Sequence, residues 1–325
     1  MTTPQLTTRT ARIKRNAFTL VELMIVIVII GILVGISSPF IFAAIERAKE
    51  FTIQNEIVQM DAAVQRFETK YGFFPPAIGP GLEIDTSPSA NSDAEIAKFR
   101  RYLNRIAPNH AEGGPGSGGG LDNWWRDVGS KLDAESSLVF WLSGLCTSKQ
   151  YPLSGSAAIV RDGRSLAPHN ANLYFNQAEG EPNPPFSIDR DVFFEFTSGQ
   201  LVTNSEAGET EIRSYHQPEG RGDSLAYRYR DSRSYEITMQ PPGQFVADAY
   251  HVEDAAGNKS FFNPGTFQII CPGMDGQATR QTDPTAVVVT NTIALASPST
   301  EADVDPEQDD NITNFANGRL DLVFE

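Results

Sequence analysis

Lys14-Arg15-Asn16-Ala17-Phe18-Thr19-Leu20-Val21-Glu22-Leu23-Met24, continued by IVIVIIGILVGISSPF over residues 25–40, is the stretch whose reading decides the fold. From Phe18 to Ile45 the only ionisable side chain is Glu22. That exceeds the ~20 apolar residues a helix needs to cross a bilayer. Arg9, Arg12, Lys14 and Arg15 precede the run and Glu46, Arg47 and Lys49 follow it. The cationic leader is therefore expected to stay cytoplasmic and the body to be exported. A cleaved secretory signal has a shorter apolar core and a small-residue cleavage site, whereas this run passes straight into a charged, helical continuation, so the apolar segment is expected to be retained.

In that continuation Ile53, Ile57, Met60, Val64, Phe67 and Tyr71 recur at helical spacing and form one apolar stripe. Polar residues such as Gln54, Asn55, Glu56, Gln59, Asp61, Gln65 and Glu68 fill the remaining faces. A helix from Phe18 to Tyr71 is about 80 Å long. Its first part, residues 18–45, suits lipid and its second part is amphipathic. Pro39 removes a backbone hydrogen bond, and with Gly31, Gly35, Ser37 and Ser38 nearby it marks the expected place for a kink or local melting. Gly72, followed by Phe-Phe-Pro-Pro, ends the helix.

The string Ala17-Phe18-Thr19-Leu20-Val21-Glu22-Leu23-Met24, behind a basic leader and ahead of a long apolar helix, resembles the N-terminus of type IV pilins and type II secretion pseudopilins. The resemblance implies removal of residues 1–17 by a prepilin peptidase, with cleavage between Ala17 and Phe18, and methylation of the new Phe18 amine. Where the family usually has Gly before the cut, this chain has Ala17. Glu22 and Pro39 then match the fifth and twenty-second mature positions, both tied to filament assembly. A carboxylate at membrane depth is tolerated when paired, and the family pairs it with the N-terminal ammonium of a neighbouring subunit, here Phe18. Without the motif, the plainer reading is a Glu solvated at the cytosolic interface.

After Gly72 the composition shifts. Residues 72–92 are rich in Pro, Gly and Ser, and Ser92 with Glu95 suits a capping box for a helix carrying Ile96, Phe99, Leu103 and Ile106. Phe74-Pro75-Pro76 and Gly81-Leu82 resemble the helix exit of major pseudopilins. Residues 113–120 are nearly all Gly and lack the Lys-Ser/Thr ending of a phosphate loop, so they read as a loop. Residues 131–145 suit a short buried helix, and Trp124 and Trp125 suit either a binding patch or packing beneath the loop. From about residue 190 the period becomes two: Val192, Phe194 and Phe196, then Tyr227 and Tyr229, then Tyr235, Ile237 and Met239. With 267–270 and 286–289 these predict antiparallel strands. The expected fold class is therefore α+β and pilin-like: a long N-terminal helix over residues 18–71, packed on an antiparallel sheet in an enlarged head over residues 72–325.

Chemistry in the head is sparse. His110, His169, His216 and His251 show no metal-ligand spacing, and no G-x-S-x-G occurs, so no enzyme is expected. Arg221-Gly222-Asp223 is too short to distinguish adhesion from a loop. Cys146 and Cys271 allow either one disulfide or two separate buried thiols. Gly273-Met274-Asp275-Gly276 and Asp309-Asp310-Asn311-Ile312-Thr313-Asn314-Phe315 resemble the segments that flank a calcium-binding loop in major pseudopilins. That likeness implies a structural calcium held by Asp275, Asp309, Asp310 and Asn311, with Asp303, Asp305 and Glu307 as further donors, against the alternative of a solvated acidic loop.

Without residues 1–17 the net charge falls from −15 to −19, which excludes a nucleic-acid partner. The resemblance implies a structural subunit of a type II secretion fibre. Its expected partners are copies of itself, other pseudopilins, the prepilin peptidase, an inner-membrane assembly platform and lipid. The alternatives are a type IV pilin or a minor tip pilin that binds cargo or a surface. The expected location is the bacterial inner membrane, crossed once, with the head periplasmic and an extracytoplasmic filament after processing.

Overall fold

Helix α1, Leu20–Tyr71, runs as one uninterrupted element and passes through Pro39 without a break. The local melting expected there is absent: the proline removes one backbone hydrogen bond among many, and Ser37 Oγ donates to the Leu33 carbonyl at 2.7 Å one turn earlier. The computed structural model describes residues 19–77, 91–110, 132, 134–147, 149, 152–153, 159–161, 164–165, 190–203, 211–218, 226–235, 249–253, 258–273, 292–293 and 311–316. The chain divides into two units, Met1–Ala48 and Lys49–Glu325.

In the first unit none of the side chains from Leu20 to Ser37 is buried, and Phe40, Ile41, Phe42 and Ile45 are exposed as well. A helix apolar on all sides is suited to a membrane or to a bundle of like helices.

The second unit is built on the amphipathic part of α1. Ile53, Ile57, Met60, Val64 and Phe67 are all at most 2% exposed, with Ala63 between them, so the apolar stripe is a core stripe. Gly72 ends the helix at φ +75°, a left-handed conformation that costs glycine little, and its N–H reaches the Glu68 carbonyl at 2.7 Å. Phe73, Pro75 and Pro76 then run buried. The carbonyls of Pro75 and Pro76 accept from Tyr229 Oη at 2.7 Å and Trp141 Nε1 at 2.9 Å. The Ala77 N–H donates to Asp231 Oδ2 at 2.6 Å. A proline pair cannot enter a sheet or continue the helix, and here side chains satisfy its carbonyls instead.

Helix α2, Asn91–Ile106, buries Phe99 and Leu103. It starts one residue before Ser92, which therefore lies inside the first turn rather than at the cap. Arg105 donates to the Gly72 carbonyl at 2.9 Å and lies over the Phe73 ring at 4.6 Å. Helix α3, Ser136–Leu142, is buried throughout. Its Trp141 meets Phe67 edge to face at 5.7 Å. Gly144 leaves α3 at φ +87°, and a Cβ there would stand 2.4 Å from the Asp191 carbonyl oxygen, so only glycine fits.

Among the described residues ten short strands follow: β1 Ile159–Arg161, β2 Arg164–Ser165, β3 Leu201–Thr203, β4 Glu211–Tyr215, β5 Arg228–Asp231, β6 His251–Glu253, β7 Lys259–Phe261, β8 Phe267–Cys271, β9 Thr292–Ile293 and β10 Ile312–Thr313. They form three sheets, in the orders β2-β1-β4-β3, β10-β8-β5 and β7-β6-β9. All pairs are antiparallel except β6 with β9, which is parallel and departs from the expected arrangement. The β10-β8-β5 sheet lies against α1, since Tyr227, Tyr229, Phe267, Ile269, Cys271 and Ile312 join the α1 stripe in one core.

One further expectation fails. Residues 192–196 are not a strand: Phe193 is buried and Val192 is exposed. The Asp191 N–H bonds the Leu145 carbonyl, and the N–H groups of Phe193 and Phe194 share the Leu142 carbonyl, so these donors serve the exit of α3 rather than a ladder. Of the two arrangements left open for the cysteines, the structure has two separate side chains rather than a disulfide. Cys146 is half-buried, and buried Cys271 donates its thiol proton to Gln217 Oε1 at 3.0 Å. The expected strand residues Ile237, Met239 and 286–289 lie outside the described residues.

Candidate assembly helix and its anchorage

At the N-terminal end of α1, Glu22 Oε2 accepts from the Thr19 N–H at 2.9 Å and from Thr19 Oγ1 at 2.8 Å, while the Glu22 N–H donates back to Thr19 Oγ1 at 3.2 Å. This is a reciprocal capping box, Thr-x-x-Glu, which satisfies helix N–H groups that have no partner within the helix. The spacing was present in the sequence, but Glu22 read there as a membrane charge hid Thr19. A carboxylate has acceptor capacity on two oxygens, so a cap on Oε2 and an ammonium from a neighbour are compatible. Ala17 and Phe18 lie outside the described residues. Pro39 lies within the uninterrupted α1.

Further along, every acid that α1 carries between Phe51 and Thr69 except Glu68 is held by the head. Glu56 accepts from Tyr227 Oη at 2.5 Å, from Tyr215 Oη at 3.3 Å and from Gln200 Nε2 at 3.1 Å. The two tyrosine rings stack, centroids 5.5 Å apart and 20° from parallel. Asp61 Oδ2 accepts from Asn314 Nδ2 at 3.0 Å, and Asn314 Oδ1 in turn accepts from the Ile269 N–H at 3.0 Å, so one amide joins α1, β8 and the segment after β10. Arg66 donates to the Phe193 carbonyl, and Lys70 pairs with Asp191. None of these partners is near α1 in sequence, and no local signal foretells them.

Burial raises the pKa of both tyrosines, because it penalises the phenolate, and the Glu56 charge raises them further. For Tyr227 the Cys271 thiol contributes between those two causes. Tyr215 is pushed up to about 12.

Of the residues expected to hold calcium, Asp275, Asp309 and Asp310 lie outside the described residues. Asn311 is fully buried. Its Oδ1 accepts from the Gly273 N–H at 3.0 Å and its Nδ2 donates to Tyr250 Oη at 2.6 Å. Gln217 Nε2 donates to the Gly273 carbonyl at 3.2 Å. Asn311 thus acts as a hydrogen-bonding clamp between the ends of β8 and β10. Among the described residues no group of three or more His, Cys, Asp or Glu side chains could hold a metal ion. His216 and His251 are buried apart, beside Ser214 Oγ at 2.9 Å and the Ala249 carbonyl at 3.0 Å. Trp124, Trp125, His169 and residues 221–223 lie outside the described residues.

The prokaryotic N-terminal methylation motif matches residues 12–38. No curated protein and no solved structure matches the chain.

A tyrosine whose folded pKa exceeds its unfolded value of about 10 keeps its proton in the fold after the unfolded chain has lost it. The stability it contributes is intact below pH ~10 and is lost as pH rises toward the folded value. The urea midpoint of the full-length chain in detergent should therefore fall between pH ~10 and ~12, and Tyr215→Phe should flatten that fall. Identical pH profiles for the two proteins would contradict the Glu56 cluster.

Proposed function

We propose, for a chain whose N-terminus is that of a type IV pilin-like protein, that it is a structural subunit of a type II secretion pseudopilus, cut by prepilin peptidase between Ala17 and Phe18 and assembled through α1. The observation that carries this reading is the methylation motif leading directly into a 52-residue helix, apolar and exposed at first and embedded in its own head afterwards. Such a helix lets the chain be stored singly in lipid and then packed among like helices, with the head as a fixed load. Membrane anchoring follows from the same segment. A surface type IV pilin shares every one of these features. The pseudopilin reading is favoured by the Phe74-Pro75-Pro76 exit, pinned by Trp141 and Tyr229, and by the sequence around Asp309. The role is mechanical and not catalytic.

Deleting the gene in its host separates the two readings: loss of secreted proteins with normal surface pili supports the pseudopilus, and the opposite result supports the pilin. Mass spectrometry of the mature chain should find an N-methylated Phe18. Glu22→Ala should abolish assembly while membrane insertion persists, and because it also removes the capping box, Glu22→Gln is the control that retains an acceptor at the cap. A chain that keeps residues 1–17 beside an active peptidase would defeat the processing claim, and normal filaments from both variants would defeat the role of the charge.

Calcium is a separate proposal resting on Asp275, Asp309, Asp310 and Asn311. The pairing of Cys271 with Ile312 supports it, because the two acidic segments leave adjacent strand ends. Bound ion would offset their mutual repulsion. Calcium should raise the melting temperature of the full-length chain and chelator should lower it. Indifference to both would leave the closure to Asn311 alone.

A further inference from the structure

The segment Asn311–Ala316 is attached at several separate points. Asn311 is clamped to the Gly273 N–H and to Tyr250 Oη, and Ile312 and Thr313 pair with Cys271 and Ile270 of β8. Its apolar side chains divide between two places: Ile312 joins the main core, whereas Phe315 and Ala316 belong to a small cluster with Tyr250, Phe262 and Ile270. There Phe315 lies flat on Phe262, centroids 4.8 Å apart and 10° from parallel. Half-buried Asn314 exchanges hydrogen bonds with the Ile269 backbone and donates Nδ2 to Asp61 Oδ2 at 3.0 Å. Among the described residues that donation is the segment's hydrogen bond to α1, and it crosses 253 residues of sequence.

The polar hold on α1 is therefore split. Glu56 is held by Tyr215, Tyr227 and Gln200, none of which belongs to this segment. Asp61, about 7.5 Å further along the helix, is held by Asn314 and by Gln65 of α1 itself. A segment secured by one two-residue strand, one clamped amide and a half-buried ring opens at a lower free energy than a core strand. Opening withdraws Asn314 and leaves the half-buried Asp61 carboxylate with Gln65 alone, a cost that α1 then carries. We infer that Asn311–Ala316 is a strap: closed, it seats α1 at Asp61 through Asn314, and open, it loosens that part of α1 while the Glu56 contacts still hold. Asn314 is the positioning residue of this device. Coupling between two sites is reciprocal, so whatever frees or orders the strap shifts the seating of α1 by the same free energy, and loosening α1 frees the strap.

The test is native-state hydrogen exchange on variants of the full-length chain in detergent, with the α3 amides as the reference for the head. Asn311→Ala removes a side chain whose hydrogen bonds go to Gly273 and Tyr250 and not to α1. It should speed exchange at residues 312–316 and, by about tenfold more than at α3, at the α1 amides from Ile57 to Gln65. Asp61→Ala should speed the strap amides by a similar factor. In the Asp61→Ala background, Asn311→Ala should add less than about twofold at α1. If Asn311→Ala does not fold, Phe315→Ala opens the strap from its other end and is read in the same way. Faster exchange in the strap with α1 unchanged relative to α3 would overturn the coupling. Equal acceleration of α1 with and without Asp61 would overturn Asn314 as the link.

Discussion

The burial of one stripe of α1 in the head is the interaction on which the rest of the structure depends. Ile53, Ile57, Met60, Val64 and Phe67 are removed from water almost completely, and each such side chain contributes about 1.5–3 kcal/mol on burial. Phe67 is the centre of this packing, in ring contact with Tyr71, Phe73, Trp141 and Phe193. Through those rings it touches the helix exit, α3 and the segment after Cys146. A long helix by itself gains little from propensity. Here tertiary packing holds its second part, and the first part is left uncovered for other surroundings.

Polar contacts around that stripe give the packing its register. Apolar burial is non-directional, so it fixes that α1 lies in the head but not its rotation or its position along its axis. Glu56 against two tyrosines and a glutamine, and Asp61 against Asn314, fix both. They also hold Glu56 and Asp61 half-buried against the head. The exit at Gly72 completes the constraint, because Trp141, Tyr229, Asp231 and Arg233 all bond to the backbone between Phe74 and Ala77.

Legibility in the sequence followed the range of the forces. The membrane segment, the Ile53–Phe67 stripe, the Gly72 stop and the short buried α3 were readable because periodicity, glycine and apolar runs act within a few residues. The strand expected at 192–196 misled because alternation states only that side chains differ in burial. Whether a ladder forms depends on where the backbone N–H groups go, and here they go to Leu142 and Leu145. Tyr227 and Tyr229 alternate in the sequence, yet all of β5 is buried, with Arg228 paired to Glu135 at 3.1 Å. Glu56, Asp61 and Asn314 were visible only as polar residues, since their partners lie far along the chain. The Thr19–Glu22 box was local and readable, and a more conspicuous reading of Glu22 obscured it.

The central claim is that the amphipathic part of α1 is an integral part of the head and not a stalk to which the head is tied. Native-state hydrogen exchange on the full-length chain in detergent micelles measures this directly. If α1 belongs to the core, the amides from Ile53 to Phe67 exchange only with global unfolding, at the same free energy as those of β5 and β8. Exchange of the Ile53–Phe67 amides at a distinctly lower free energy than β5 and β8 would show the helix detaching from an intact head, and would contradict the account.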